Sequence, residues 1–382
     1  MSPERQRPAR VFVVAGEASG DALGADLIRV LRARAPEIKI MGVGGAAMAD
    51  AGAPSQVDIS ALGVLGFVDG LKAYKRVMLA VEETANAAKS FQPDVAVLID
   101  SWGFTLRVAH ALRRDMPNLR LVKYIGPQVW ATRPGRAKTL AEAVDHLICI
   151  HDFEVPFYEP FNLPCTICGH PAIGRYRQGD AAAFRARHHL NDDERILLVL
   201  PGSRTSEIKR VGPTLWRAAQ KIANAHDNVR LALVAAGSVA EAAKAQAPEG
   251  TLIVGESEKE DAFASAHIAL ACSGTVTTEV ALQGAPLIIG YKFGWITWAI
   301  ARFILFKAKY GTLMNTAVDA EVAPEFIQTK FTIDRLVACA ENLLKDEPAR
   351  QAQIAAQNAA LDKMGRGGRP AAEIAADVVL GM

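Results

Sequence analysis

Cysteine is scarce in this chain of 382 residues. Five cysteines, Cys149, Cys165, Cys168, Cys272 and Cys339, are an odd and scattered set, which excludes a disulfide framework. Cys165 and Cys168 form a lone CxxC with only His170 nearby, short of a zinc ligand set, and read as buried strand thiols. There is no HExxH, no Asp-x-Asp pair and no GxxxxGK[ST] loop, so neither a metal nor a cofactor is expected. Net charge is also small: 43 Lys and Arg against 41 Asp and Glu leave +2, which argues against bulk binding to nucleic acid. Long apolar runs are missing. The most apolar stretch, 293–306, has 14 residues and contains Arg302, too short to span a bilayer. The N-terminal MSPERQRPAR is charged and has no apolar core, so it does not read as a signal peptide. Mean hydropathy is nevertheless slightly positive, +0.12.

What is present is a strand–helix alternation. Continuous β-branched runs at 11–15, 38–43, 95–99, 121–125 and 146–150 are separated by helical segments at 22–35, 71–89, 104–114 and 136–144. Unbroken apolar runs suit parallel strands covered on both faces. The scheme repeats with strands at 196–200, 229–235, 251–254, 268–271 and 287–290 and helices at 212–225, 238–245 and 275–283, and the last 50 residues read as helices. The expected fold is α/β: two doubly wound, Rossmann-like domains, 1–170 and 171–345, facing a central cleft, followed by C-terminal helices at 346–382. Such domains hold ligands at the carboxyl ends of their strands.

Several strand ends carry more than a turn requires. After the first comes Gly16-Glu17-Ala18-Ser19-Gly20-Asp21, a glycine-rich opening to a helix in which Glu17 and Ser19 are available to a ligand. Gly42-Val43-Gly44-Gly45-Ala46-Ala47 matches GxGxxA but follows the second strand, and no acidic residue closes the following strand, so a dinucleotide is not expected there. Asp100 stands at a strand tip, either as a catalytic base or as a helix cap. The loop 126–136 carries Trp130, which either stacks on a sugar or fills the core.

In the second half, Gly202-Ser203-Arg204 follows a strand as an anion cradle whose guanidinium can grip phosphate in two places. A second cradle, Ser273-Gly274-Thr275, opens a helix, and Glu279 lies one turn in, where it could accept bonds from ribose hydroxyls. Two cradles in one domain suit a nucleoside diphosphate.

Two stretches mix apolar and basic residues: 62–78, with Phe67 and Leu71, and 291–310, with Trp295, Trp298, Phe303 and Phe306. Each reads either as a segment lying in a membrane interface or as ordinary packing, the second also as a contact with another copy in a homodimer.

Taken in order, these motifs resemble the lipid-A-disaccharide synthase family, glycosyltransferases of the B-type two-domain architecture. The resemblance is carried by Gly16 to Asp21 with Leu23-Gly24-Ala25, Gly42 to Gly45 with Met48, Ile99-Asp100, Tyr124 to Pro127 with Val129-Trp130 and Arg133, and Gly169-His170. It continues through Leu200 to Arg204, Ser273 to Thr275, Glu279, Gly290-Tyr291-Lys292, Leu313 with Asn315, and Pro324-Glu325-Phe326 with Gln328. It implies transfer from UDP-2,3-diacylglucosamine to the 6-hydroxyl of 2,3-diacylglucosamine 1-phosphate, with inversion, at the cytoplasmic face of the inner membrane. Asp100 would be the base, and Arg204 would neutralise the departing diphosphate together with the Ser273–Thr275 helix start. Glu279 would hold the ribose, and Asn315 matches a position implicated in activity. The chain departs from the family at Trp102-Gly103 and at Thr132, both on the acceptor side. Another UDP-sugar enzyme, such as a 2-epimerase, and a non-catalytic sugar- or lipid-binding module are the competing readings.

Overall fold

The structure, a computed structural model, describes residues 8–59, 70–235, 237–294 and 309–382, without the side chains of 70–73 and 238. The chain divides into two compact units, Met1–Pro171 with Gly368–Met382, and Ala172–Gly367.

The first unit is built on six parallel strands: β1 (Arg10–Ala15), β2 (Lys39–Val43), β3 (Val95–Ile99), β4 (Arg120–Tyr124), β5 (His146–Cys149) and β6 (Cys165–Ile167), in the order β2-β1-β3-β4-β5-β6. The side chains of β1 alternate between two cores. Phe12 and Val14 join one with residues of the helices Gly70–Phe91 and Trp102–Asp115. Val11, Val13 and Ala15 join the other with the helices Ala18–Arg34 and Ala371–Leu380. Both faces are apolar, so the strand reads as an unbroken apolar run. The helix Ala18–Arg34 buries Leu23, Leu27, Ile28 and Leu31, each contributing roughly 2 kcal/mol. Its N-cap, Glu17, makes no side-chain capping bond, so apolar burial holds this helix and leaves the carboxylate uncommitted as a cap.

The second unit repeats the plan with β7 (Arg195–Leu200), β8 (Val229–Val234), β9 (Leu252–Val254), β10 (Ala266–Cys272), β11 (Leu287–Tyr291) and β12 (Glu325–Ile327), all parallel, in the order β12-β11-β10-β7-β8-β9. Leu197 and Val199 of β7 pack with Leu215, Trp216 and Ile222 of the helix Gly212–Ala223 and with Leu336 and Leu343 of the helix Ile333–Lys345.

The α/β class and the two doubly wound sheets are as expected. The expected segment 346–382 does not stand apart. The helix Glu347–Lys363 belongs to the second unit, where the buried Gln357 accepts from Leu287 N and donates to Ala285 O, both at 3.0 Å. The helix Ala371–Leu380 returns to the first unit, where Arg34 binds Glu373 at 3.1 Å and also Asp377, and Arg120 donates to Val378 O at 2.8 Å. Strand β6 lies where the Cys165 and Cys168 thiols were read as strand residues, with Cys168 just past its end and Cys165 only half-buried, whereas β12 was not expected. They have three residues each at sheet edges, where short strands are favoured and leave no readable run.

In each sheet the order reverses once: between β1 and β3 in the first, and between β7 and β10 in the second. The crevice beyond the strand ends at such a reversal is where open α/β sheets bind ligands.

Candidate active site

At the first reversal, the loop after β1 meets the turn after β3. A Cβ placed on Gly16 would lie 2.8 Å from Ser101 Oγ and 3.0 Å from the Phe104 ring, so only glycine permits this approach. Glu17 and Ser19 are exposed beside it. Asp21, about one turn beyond Glu17, is buried instead. Its carboxylate accepts from the amides of Gly45 at 2.7 Å, Ala47 at 2.9 Å and Met48 at 3.1 Å. The glycine-rich segment after β2 is thus tied to Asp21, which accounts for it without a dinucleotide.

Asp100 and Ser101 both adopt left-handed backbone conformations, with φ of 43° and 41°. Each costs on the order of 1–3 kcal/mol for a residue other than glycine, and such strain gathers at functional sites. The helix Trp102–Asp115 starts immediately after, with Ser101 as an N-cap that makes no side-chain bond. Asp100 therefore does not serve as the helix cap. Its half-exposed carboxylate stands at the strand end, and its carbonyl is held from below by Lys123. Lys123 is buried, and that burial pushes its pKa down to about 7 against the opposing fields of Asp100 and Glu17. A single lysine within the apolar run of β4 was the available sequence signal, and it was missed.

Trp130, in the loop after β4, is half-buried and packs edge-on against Phe153, with centroids 5.4 Å apart. Phe153 in turn stacks on His151 at 4.8 Å. Arg136 lies 5.0 Å over the Trp102 ring, which joins this loop to the helix that follows Asp100. Arg133 repels Arg136, whose guanidinium is held below its ordinary value by burial first and then by that neighbour. Among the CxxC thiols, burial pushes Cys168 up to about 12, far from a reactive thiolate.

At the second reversal, β7 is followed by Gly202, with a φ of +127° and no room for a Cβ against Glu207. Glu207 is buried beneath the loop. Its carboxylate accepts from Ser203 N at 3.0 Å and Arg204 N at 3.3 Å and pairs with the Arg204 guanidinium at 3.1 Å. These two amides are engaged, so the loop offers a hydroxyl and a guanidinium. The Arg204 side chain is 77% exposed, and an ion pair so solvated contributes only about 0–1 kcal/mol. Stability does not explain the arginine.

The loop after β10 faces it. Ser273 donates to Gly311 O at 3.2 Å, and Thr277 Oγ1 donates to Gly274 O at 2.7 Å at the start of the helix Val276–Leu282. A Cβ on Gly274 would meet nothing within 4 Å, so neither internal packing nor backbone angle requires glycine there. Glu279 is partly exposed and pairs with Lys259 at 3.2 Å. Lys259 was not anticipated. Burial works to lower its pKa, but Glu279 and its acidic neighbours raise it overall.

Asn315 is fully buried and saturated. Its amide donates to Ala323 O at 2.8 Å and Glu325 Oε1 at 2.7 Å, and its oxygen accepts from Val322 N and Ala323 N, both at 2.9 Å. Glu325 also accepts from Gly311 N and Thr312 N, at 2.8 Å each. Both amide hydrogens and both lone pairs of this carboxamide are engaged within the protein. It reaches the site along the chain of contacts Asn315, Glu325, Gly311 and Ser273.

Phe67, Trp295, Trp298, Phe303, Phe306 and the side chain of Leu71 lie outside the described residues. Among the described residues no helix is long and apolar enough to cross a membrane, and no cluster of side chains suits a metal ion.

Comparison with known proteins places this geometry. The family described as lipid-A-disaccharide synthetase matches residues 11–379. The lipid-A-disaccharide synthase of Rhodospirillum centenum is 35% identical over 380 residues, covering 98% of this chain and 94% of that protein. That of Paramagnetospirillum magneticum is 38% identical over 378 residues, covering 97% and 96%. Among solved structures, UDP-GlcNAc 2-epimerase from Neisseria meningitidis bound to UDP-GlcNAc aligns with a TM-score of 0.68 at 11% identity, over 98% of this chain and 100% of that one. The spinosyn rhamnosyltransferase SpnG aligns with a TM-score of 0.56 at 14% identity, over 95% and 98%. These two likenesses establish the fold, a GT-B-like α/β architecture, while the full-length relatives establish the family. The chain belongs to the lipid-A-disaccharide synthase family.

Proposed function

We propose that this chain is an inverting glycosyltransferase that joins UDP-2,3-diacylglucosamine to the 6-hydroxyl of 2,3-diacylglucosamine 1-phosphate, giving the β-1,6-linked disaccharide and UDP. Lipid-A-disaccharide synthase activity follows from the family; the assignment of roles follows from chemistry. An α-linked donor and a β-linked product require one displacement with inversion. That displacement needs a base for the hydroxyl proton and a sink for charge on the departing diphosphate.

The observation that carries the reading is the coincidence of the motif residues with the two sheet reversals. Asp100, with Glu17 and Ser19 beside it, occupies the first, and Ser203, Arg204 and Ser273 to Thr275 occupy the second. Asp100 takes the proton of the acceptor hydroxyl as the bond to the sugar forms. Arg204, Ser203 and the Ser273–Thr275 loop bind the diphosphate and stabilise it as it leaves, with Gly274 open to its close approach. Glu279 accepts from the ribose hydroxyls, and Asn315 keeps Glu325 and Gly311 in place behind Ser273. Trp130 and the Trp102–Arg136 pair lie on the acceptor side. Phe67, Leu71, Trp295, Trp298, Phe303 and Phe306 supply apolar contacts to a membrane surface, at which both acylated substrates are presented. On this reading the enzyme works at the cytoplasmic face of the inner membrane.

Mass spectrometry of the product from the two acylated sugars tests the reaction. A disaccharide of the expected mass supports it, and unchanged substrates in the presence of folded protein would refute it. Liposome flotation of a variant altered at Trp295 and Trp298 tests the surface; reduced binding is expected, and equal binding would count against it.

A further inference from the structure

Lys123 is 2% exposed in the middle of the first sheet, in register with Leu98 of β3 and Leu147 of β5. Its ammonium donates to the Asp100 carbonyl and, at 2.6 Å, to Thr105 Oγ1. Thr105, also buried, donates from the same hydroxyl to the Asp100 carbonyl at 2.6 Å. The carboxylates facing the ammonium are Asp100 at the end of β3 and Glu17 at the end of β1, while the helix Trp102–Asp115 contributes the uncharged Thr105.

Stability alone does not select a lysine here. Burial disfavours the charge. The adjoining helix N-terminus carries partial positive charge and repels a cation. A methionine would fill the same volume without either cost. What the ammonium gains is tied to the turn that carries the proposed base: it grips the carbonyl of a left-handed residue, at the one point where β3 gives way to the helix.

We propose that Lys123 is a positioning residue for sugar transfer: by holding the Asp100 carbonyl jointly with Thr105, it keeps the Asp100–Ser101 turn in its left-handed form and presents the Asp100 carboxylate at the strand end. The inference rests on the reading of Asp100 as the base. Proton transfer demands placement of the carboxylate to within a fraction of an ångström, and a turn released from its anchor has less strained backbone conformations to occupy.

The test is Lys123→Met, which keeps length and volume and removes the charge. The thermal midpoint is expected to equal or exceed that of the parent protein, UDP affinity and donor KM to change less than about twofold, and kcat to fall roughly 10²-fold. The pH dependence separates this from a packing effect. The folded-state pKa of Lys123 lies near 7, below its unfolded value. Its destabilising effect is therefore full below pH 7 and fades as pH rises toward 10, and the gain in midpoint of Lys123→Met follows the same course. Thr105→Val, which retains the ammonium, should lower kcat by a smaller factor. A fully active Lys123→Met would overturn the proposal, as would a loss of rate accompanied by a lowered midpoint at neutral pH. Asp100→Asn distinguishes the two readings. If it is inactive while Lys123→Met is fully active, only the positioning role fails; if Asp100→Asn retains full turnover, the base reading fails and the positioning role with it.

Discussion

The two sheet reversals are built with opposite charges in the same arrangement. In the first unit carboxylates stand over a buried ammonium: the half-exposed Asp100 and the exposed Glu17 above Lys123. In the second unit an exposed guanidinium stands over a buried carboxylate: Arg204 above Glu207. The buried partner in each case grips the backbone of the loop as well, through the Asp100 carbonyl in one and the Ser203 and Arg204 amides in the other. A charge destined for chemistry has to be held in place without being neutralised. An opposite charge placed beneath the backbone does this: Lys123 bonds the carbonyl of its turn, and Glu207 anchors the amides of its loop while its pair with the solvated Arg204 guanidinium contributes little. The difference in sign matches the proposed division of labour, proton abstraction in one unit and support of a departing diphosphate in the other.

The comparison can be broken most decisively at the exposed residues. Asp100→Asn is expected to reduce disaccharide formation by about 10²–10⁴-fold, the range for loss of a general base, measured by initial rates with both acylated sugars. Arg204→Ala should weaken UDP binding and slow transfer by about 10–100-fold, since one charge-assisted contact to the diphosphate is lost; calorimetric titration with UDP reads the first effect directly. Asn315→Ala sharpens the distinction between acting and positioning. It removes bonds buried within the second unit and should lower stability by roughly 2–4 kcal/mol in denaturant titrations, with activity per folded molecule also reduced because Ser273 loses its support.

The smallest expected effect lies outside both reversals. Burial raises Glu154 to about 7 although its carboxylate accepts from Ile150 N and His151 N. The folded state then holds a proton that the unfolded chain releases near pH 4.5, so the stabilising contribution is full below that pH and is lost as pH rises toward 7. Thermal melts of Glu154→Gln should lack this decline, a difference on the order of 1–3 kcal/mol across the window.

Much of the fold was legible in the sequence because parallel strands buried on both faces leave continuous apolar runs, as in Val11 to Ala15 and Val95 to Ile99. The short edge strand β12 was not legible, nor was the return of Ala371–Leu380 to the first sheet, which depends on pairing across the whole chain through Arg34 and Arg120. Site residues announced by glycine and hydroxyl clusters were readable from strand-end position. Their buried counterparts were hidden for the opposite reason. Lys123 looks like an interruption in an apolar strand, and Glu207 like a first-turn helix acid, until the loops they hold are seen. Asn315 was readable as a motif position, but its saturated hydrogen bonding, which decides its role, was not.

The division of labour between the two units is tested most directly by measuring UDP affinity and disaccharide formation side by side in Asp100→Asn. UDP affinity equal to that of the parent protein with product formation nearly abolished is the predicted result. Unimpaired product formation, or loss of UDP binding in parallel with activity, would contradict it.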